Sequence, residues 1–190
     1  MPCRRSRLLC YGDDVADDIS RSLRLVAATP EHVDTVYAIY RACISALLAR
    51  GVRQWDDVYP DRAVAAAAVA RGDLFLLVDD GGARGSVILN AIQAPEYAAI
   101  AWRCPEPALV IHTLVIDPGR QGAGLGRAAM ACCEAFGRER GFATVRLDAF
   151  PGNPAAIALY DRLGYEYRGD VHFDFKPPGH ERYRVYEKRL

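Results

Sequence analysis

The chain has 190 residues, 51% of them hydrophobic and 25% charged, with 24 basic and 24 acidic side chains. That length carries one domain with a sizeable core, and a net charge of zero lacks the basic excess of a non-specific nucleic-acid binder. No apolar run approaches the roughly 20 residues of a membrane span, and Leu8-Leu9 is too short for the apolar region of a signal peptide, so the expected location is the cytoplasm.

Residues 1–22 read as an N-terminal extension. Arg4, Arg5 and Arg7 precede Asp13, Asp14, Asp17 and Asp18 without a sustained apolar period, the pattern of a solvated tail. Residues 23–190 read as one domain that opens with a strand over 23–28. Thr29-Pro30-Glu31 then starts a helix, with a hydroxyl at the N-cap and proline at the first helical position. Val33, Val36, Tyr37, Tyr40, Ile44 and Leu47 follow at helical spacing, and Gly51 closes the element. A loop with two large aromatics, Gln54-Trp55-Asp56-Asp57-Val58-Tyr59-Pro60, leads to an alanine-rich helix over 61–71 that ends at Gly72.

Strands over 74–78 and 86–91 flank the Asp80-Gly81-Gly82 turn, and a polar-aromatic stretch with Pro95, Glu96, Tyr97 and Trp102 comes next. Residues 108–116 read as a buried strand. A helix follows with the stripe Leu125, Ala128, Ala129, Cys132 and Phe136, and it ends at Gly141. A strand over 144–150, a short helix capped by Asn153-Pro154 and stopped by Gly164, and a hairpin of 166–175 and 183–188 complete the chain. The order β-α-α-β-β-β-α-β-α-β-β predicts an α/β domain on a mixed (α+β) sheet.

The segment Arg120-Gln121-Gly122-Ala123-Gly124-Leu125-Gly126-Arg127 carries the most chemistry. Its glycines expose successive backbone amides, and the following helix adds its unpaired N-terminal amides and the positive end of its dipole. Such a turn holds a phosphate or pyrophosphate. A Walker loop is excluded, because Arg127-Ala128 stand where lysine and a hydroxyl residue are required. The dinucleotide fingerprint G-x-G-x-x-[G/A] is met by Gly124 through Ala129, and Asp148 lies where a ribose-binding acid belongs. Against that reading, five residues separate strand from glycines, and the C-terminal part is antiparallel.

Gln121-Gly122-Ala123-Gly124-Leu125-Gly126 also matches the Q/R-x-x-G-x-G/A signature of the Gcn5-related N-acetyltransferases, and Leu114-Val115-Ile116-Asp117-Pro118 resembles the strand end that introduces it. Asn153-Pro154-Ala155-Ala156-Ile157-Ala158-Leu159-Tyr160, followed by Leu163-Gly164-Tyr165, resembles the second motif of that family. The resemblance covers roughly residues 23–190. It implies the family's acyl-CoA N-acyltransferase fold with splayed central strands, and acetyl-CoA as co-substrate. It assigns the pyrophosphate to the amides from Gly122 to Arg127, with Gln121, Asn153 and Tyr160 in the coenzyme site. The pantetheine arm and thioester carbonyl fall to the backbone of Leu114, Val115 and Ile116, an oxyanion-type role.

Transfer to an amine needs a neutral nucleophile, and an alkylamine has a pKa of about 10.4. Tyr160, whose family counterpart faces the coenzyme sulfur, is the candidate general acid. His112 is the candidate base: by period-two alternation it shares the face of Leu114, and its imidazole titrates near neutrality. Some family members, arylalkylamine acetyltransferases among them, carry a histidine at the position it resembles. Glu96 and Asp148 stand in reserve. Trp55, Tyr59, Tyr97 and Trp102, with Phe173, suit the contact surface of a small cationic amine. A protein or peptide amine, or a coenzyme-binding sensor without turnover, are the competing functions.

The six cysteines have no CxxC spacing, and Cys132 and Cys133 point about 100° apart on a helix. Free thiols and no metal site are therefore expected. No nucleic-acid or membrane partner is expected, while the C-terminal hairpin offers an edge through which two copies could pair.

Overall fold

The computed structural model describes residues 23–121, 124–176 and 179–190. The expected extension over 1–22, Gly122 and Ala123 of the glycine loop, and Pro177 and Pro178 lie outside the described residues.

Strand β1 (Arg24–Ala27) leads into a 3-10 turn (Pro30–His32) before helix α1 (Val33–Ala49). The expected helix start at Thr29 is thus a tighter turn, in which the His32 ring accepts from the Thr29 amide at 3.0 Å. Helix α2 (Arg62–Arg71) is fixed at both ends: Asp61 accepts from the Val64 amide at 2.8 Å, and Gly72 closes it at φ 75°. Strands β2 (Leu74–Asp79), β3 (Gly82–Asn90) and β4 (Ala108–Ile116) follow, with a 3-10 turn over Pro95–Ala99 before β4. Then come helix α3 (Leu125–Glu139), β5 (Thr144–Ala149), helix α4 (Pro154–Arg162), β6 (Glu166–His172) and β7 (Arg182–Arg189).

The strands form one seven-stranded sheet in the order β1-β2-β3-β4-β5-β7-β6. Every neighbouring pair is antiparallel except β4 and β5, which are joined through α3 and run parallel. The hairpin return places β7 inside and leaves β6 at the edge. Alternation along the strands gives the sheet two apolar faces. On one, Val87, Leu89, Leu109, Ile111, Val145 and Leu147 pack with Met130 and Cys133 of α3 and Tyr160 of α4. On the other, Leu74, Leu76, Ile88 and Val115 pack beneath Val36 and Tyr40 of α1 and Ala65 and Ala68 of α2. A third cluster, with Tyr97, Val110, Phe173 and Tyr183, continues the second face under the Pro95–Ala99 turn.

Cys43, Cys104, Cys132 and Cys133 are unbridged, whereas Cys3 and Cys10 lie outside the described residues. Among the described residues no helix is long and apolar enough to cross a membrane.

At Gly85 β3 lies so close to β4 that an added Cβ would overlap the Val115 carbonyl oxygen. Gly85→Ala must therefore push β4 away from β3. The expected cost is about 1–3 kcal/mol of stability, measured as a shift of the urea midpoint against the parent.

Candidate active site

The parallel ladder of β4 and β5 joins Ala108–Ile111 to Thr144–Leu147 and then stops. Beyond it β5 continues along β7 as far as Ala149, while β4 continues along β3 to Ile116. The divergence coincides with a bulge. Ser86 pairs with Val115 and Ile88 with His112, so Thr113 and Leu114 together oppose Val87. Thr113 sits at φ 47°, unusual for a β-branched residue. Its hydroxyl lies 3.0 Å from the Tyr59 hydroxyl, which ties the aromatic loop between α1 and α2 to the bulge.

The bulge corrects one expectation. Leu114 returns to the face of Leu109 and Ile111, whereas His112, paired with Ile88, lies on the opposite face with Val115. His112 and Leu114 do not share a face, because the extra residue resets the alternation.

A cleft of about 900 Å³ opens at the C-terminal end of β4. It lies between α1 and the N-termini of α3 and α4. Leu114, Val115, Ile116, Gln121, Gly124, Leu125, Gly126, Arg127, Asn153 and Tyr160 all line it, as does Trp55. Gly124 adopts φ 77° at the N-cap of α3, a conformation that turns the loop into the helix. At Gly126 an added Cβ would lie 3.3 Å from Leu159, so glycine lets α3 and α4 approach. The Gln121 side-chain Nε2 donates to the Ile116 carbonyl at 3.0 Å, folding the loop back on β4. Asn153 accepts from Ala156 at 3.3 Å, capping α4, and donates to Gln54 across the cleft at 2.9 Å.

Sequence reasoning missed Cys43, Leu47, Arg50, Gln54 and Arg162, which also line the cleft. Their positions depend on how α1 and α4 close over β4, and no local pattern signals that. With Arg127, the guanidinium groups of Arg50 and Arg162 give the rim three positive charges. Helix N-terminus, left-handed glycine, rim arginines and a strand end unpaired on its β5 side together fit the phosphates and amide-rich arm of coenzyme A.

On the α1 face, Asp148 at the end of β5 is the charge around which the other groups gather. The Tyr97 hydroxyl donates to Asp148 Oδ1 at 2.9 Å. Burial pushes the Asp148 carboxyl above its ordinary range, against the Tyr97 hydrogen bond and the nearby His112 and Lys176. The same carboxylate acts on Tyr59, Tyr97, Tyr160 and Tyr183. Burial first, then this charge, keep the Tyr160 phenol protonated far above neutral pH.

His112 Nε2 lies 3.1 Å from both Asn90 Oδ1 and the Ile92 carbonyl. A carbonyl only accepts, so Nε2 carries the hydrogen and the neutral ring has its lone pair on Nδ1. Burial holds the imidazole below its ordinary pKa, although Asp148 and the Ile92 carbonyl oppose this.

Tyr97 and Trp102 lie behind Asp148 and do not line the 900 Å³ cleft. Tyr97 is 2% exposed. The Trp102 indole donates to the Tyr97 carbonyl at 3.1 Å, and its ring carries the Arg146 guanidinium at 4.2 Å. Glu96, in the same turn, has a buried Oε2 without a hydrogen-bond partner. Phe173 packs with Tyr97 and Tyr183. Among the described residues no three His, Cys, Asp or Glu side chains gather as a metal site.

A family model described as Acetyltransferase (GNAT) family matches residues 34–165, and the chain belongs to that family. A stretch of 73 residues is 33% identical to streptothricin acetyltransferase of Streptomyces lavendulae, covering 38% of this chain and 39% of that protein. Another of 66 residues is 41% identical to mycothiol acetyltransferase of Streptosporangium roseum, covering 35% of this chain and 19% of that protein. The matched stretch thus spans under half the length of either relative. Among solved structures, a GNAT family acetyltransferase of Streptococcus agalactiae superposes with a TM-score of 0.77 at 20% identity, over 88% of this chain and 95% of its own. The ribosomal-protein-S18-alanine N-acetyltransferase of Escherichia coli does so with 0.64 at 19% identity, over 88% and 94%. Both establish the fold.

Tyr97→Phe removes the donor that favours the ionised form of Asp148. The Asp148 carboxyl is then expected to titrate at higher pH than in the parent, as followed by carboxyl-carbon NMR; an unchanged titration would show that the hydroxyl does not act on it.

Proposed function

We propose that the chain transfers acetyl from acetyl-CoA to a primary amine of a small molecule by direct attack in a ternary complex. The observation that carries this reading is the divergence of β4 and β5, which brings the lined cleft next to the recessed Asp148. Coenzyme A supplies the acetyl group as a thioester. The amides at the start of α3 and the rim residues Arg50, Arg127 and Arg162 bind its phosphates. The freed backbone of Leu114, Val115 and Ile116 holds the arm and polarises the carbonyl.

Asp148 takes the proton from the incoming ammonium, directly or through water. A carboxylate with raised pKa is a stronger base than an ordinary one. His112, kept neutral by burial, stands beside it as the second candidate through Nδ1, with Glu96 further back in the Pro95–Ala99 turn. Tyr160, protonated under all working conditions, donates its hydroxyl hydrogen to the departing sulfur. Tyr59 and Trp55 supply apolar and π contact to the acceptor, while Tyr97 and Trp102 position Asp148. The relatives named for streptothricin and mycothiol favour a small acceptor, and cation–π contact suits an amine that arrives charged.

Calorimetry with acetyl-CoA, with NADH as comparator, tests the cleft. Gly124→Glu puts a carboxylate at the phosphate site and a side chain at φ 77°, and should weaken acetyl-CoA binding by more than about tenfold, or about 1.4 kcal/mol. A preference for NADH would overturn the reading.

With an amine panel and thiol release as readout, Asp148→Asn should lower kcat by about 100-fold or more and abolish the acidic limb of the pH–rate profile. Tyr160→Phe should lower kcat by about 10-fold to 100-fold with little change in coenzyme affinity. If His112→Gln, and not Asp148→Asn, removes the acidic limb, the base is His112. Turnover confined to peptide amines would shift the acceptor class, and tight binding without turnover on any amine would mark a sensor.

A further inference from the structure

Only two of the 24 basic residues in the sequence are lysines, Lys176 and Lys188. Wherever else the chain needs a cation it uses arginine. Lys188 has an evident structural role, since its ammonium lies 2.8 Å from Glu134 Oε1, beside the Tyr165 ring.

Lys176 has no such partner. It lies in the connection from β6 to β7, and among the described residues no carboxylate comes within ion-pair distance of its Nζ. Its Nζ stands 4.3 Å from the ring centre of Tyr59, 5.2 Å from that of Tyr183 and 5.3 Å from that of Phe175. The Tyr59 ring beneath it is tied through its hydroxyl to Thr113 at the bulge, one residue from Leu114. The amine is therefore held in an aromatic cage that Tyr59 fastens to the bulge of β4, beside the lined cleft rather than in its lining. Burial lowers its pKa, against the attraction of Asp148 and Asp56, the two carboxylates that act on it. Arginine would satisfy the rings equally well or better, but a guanidinium stays charged and is no nucleophile. Of the two, only lysine can give up a proton and attack.

We propose that Lys176 is itself an acetyl acceptor, modified in cis at the acceptor site by acetyl-CoA bound in the same molecule. This rests on the acetyl-CoA reading above. The ammonium passes one proton through water to the Asp148 carboxylate and on to solvent. The nitrogen lone pair forms the C–N bond to the acetyl carbon, and the C–S bond breaks with its electron pair on sulfur. The second proton lost from nitrogen neutralises the thiolate. The products are Nε-acetyl-lysine, free coenzyme A thiol and one proton. The modified side chain no longer carries the charge that the three rings hold.

The test uses the full-length chain incubated with acetyl-CoA and no added amine, followed by peptide mass spectrometry. Lys176 should gain one acetyl group while Lys188 stays unmodified. The rate per molecule should not change when the protein is diluted about tenfold, as an intramolecular step requires. Tyr160→Phe should slow the labelling by about tenfold or more, and Lys176→Arg should abolish it. Equal labelling of Lys176 and Lys188, or a rate that falls on dilution, would overturn the proposal in favour of chemical or intermolecular acetylation. If calorimetry shows acetyl-CoA bound while Lys176 stays unmodified, this proposal fails and the transferase reading stands. If acetyl-CoA does not bind, both fail together.

Discussion

Four residue pairs of parallel ladder hold β4 to β5, and the cleft at the end of β4 depends on there not being a fifth. Continuing the ladder would pair β4 beyond Ile111 with β5 and close the cleft. The bulge at Thr113 and Leu114 prevents that by redirecting β4 after Ile111. A left-handed β-branched residue costs on the order of 1–3 kcal/mol, and each buried backbone group left without a partner costs about as much. The Tyr59 hydroxyl and the tight contact of Gly85 with the Val115 carbonyl hold β4 in this shape. Below the opening, Leu109, Ile111, Val145 and Leu147 pack without interruption, so the strands part above an intact core.

The opening also separates charges. Arg50, Arg127 and Arg162 sit at the outer rim of the cleft with the N-terminus of α3, where water screens them and a phosphate can displace that water. Asp148 is recessed on the far side, where poor solvation raises its proton affinity. On the proposed reading an anionic coenzyme is drawn to the rim and a cationic amine towards Asp148. Tyr160 reaches the junction from α4, and the Asp148 charge is felt at both Tyr160 and His112.

The position of Asp148 depends in turn on a second buried carboxylate. Glu187 of β7 is fully buried, yet it accepts from the Arg103 amide at 2.8 Å, from the Cys104 amide at 3.2 Å and from the Arg168 guanidinium. Burial would raise its pKa, but these donors hold it below the ordinary glutamate value. They also pin the segment after Trp102 to the C-terminal strands. Trp102 in turn holds the Tyr97 carbonyl, and Tyr97 holds Asp148. A charge distant from the cleft therefore sets the geometry of Asp148, the proposed base.

By itself the sequence determined the order of elements, the glycine turn, the Asn153 cap and the tyrosine seven residues after it. These are written in local spacing: apolar periods, cap residues, and glycines at positions that require them. Every described residue assigned to the coenzyme site lines the cleft, because a strand, turn and helix adjacent in sequence must also be adjacent in space. Tertiary structure alone decided the side proposed for the acceptor. The bulge moved His112 to the other face, since a one-residue change of register is invisible to a period-two reading. Tyr97 and Trp102, which resemble a binding surface in sequence, became supports for Asp148. Tyr97 meets Asp148 across 51 residues of chain, and Tyr59 meets Thr113 across 54. Contacts at such separations are set by how the sheet stacks its helices and loops, and no short stretch of the chain encodes them.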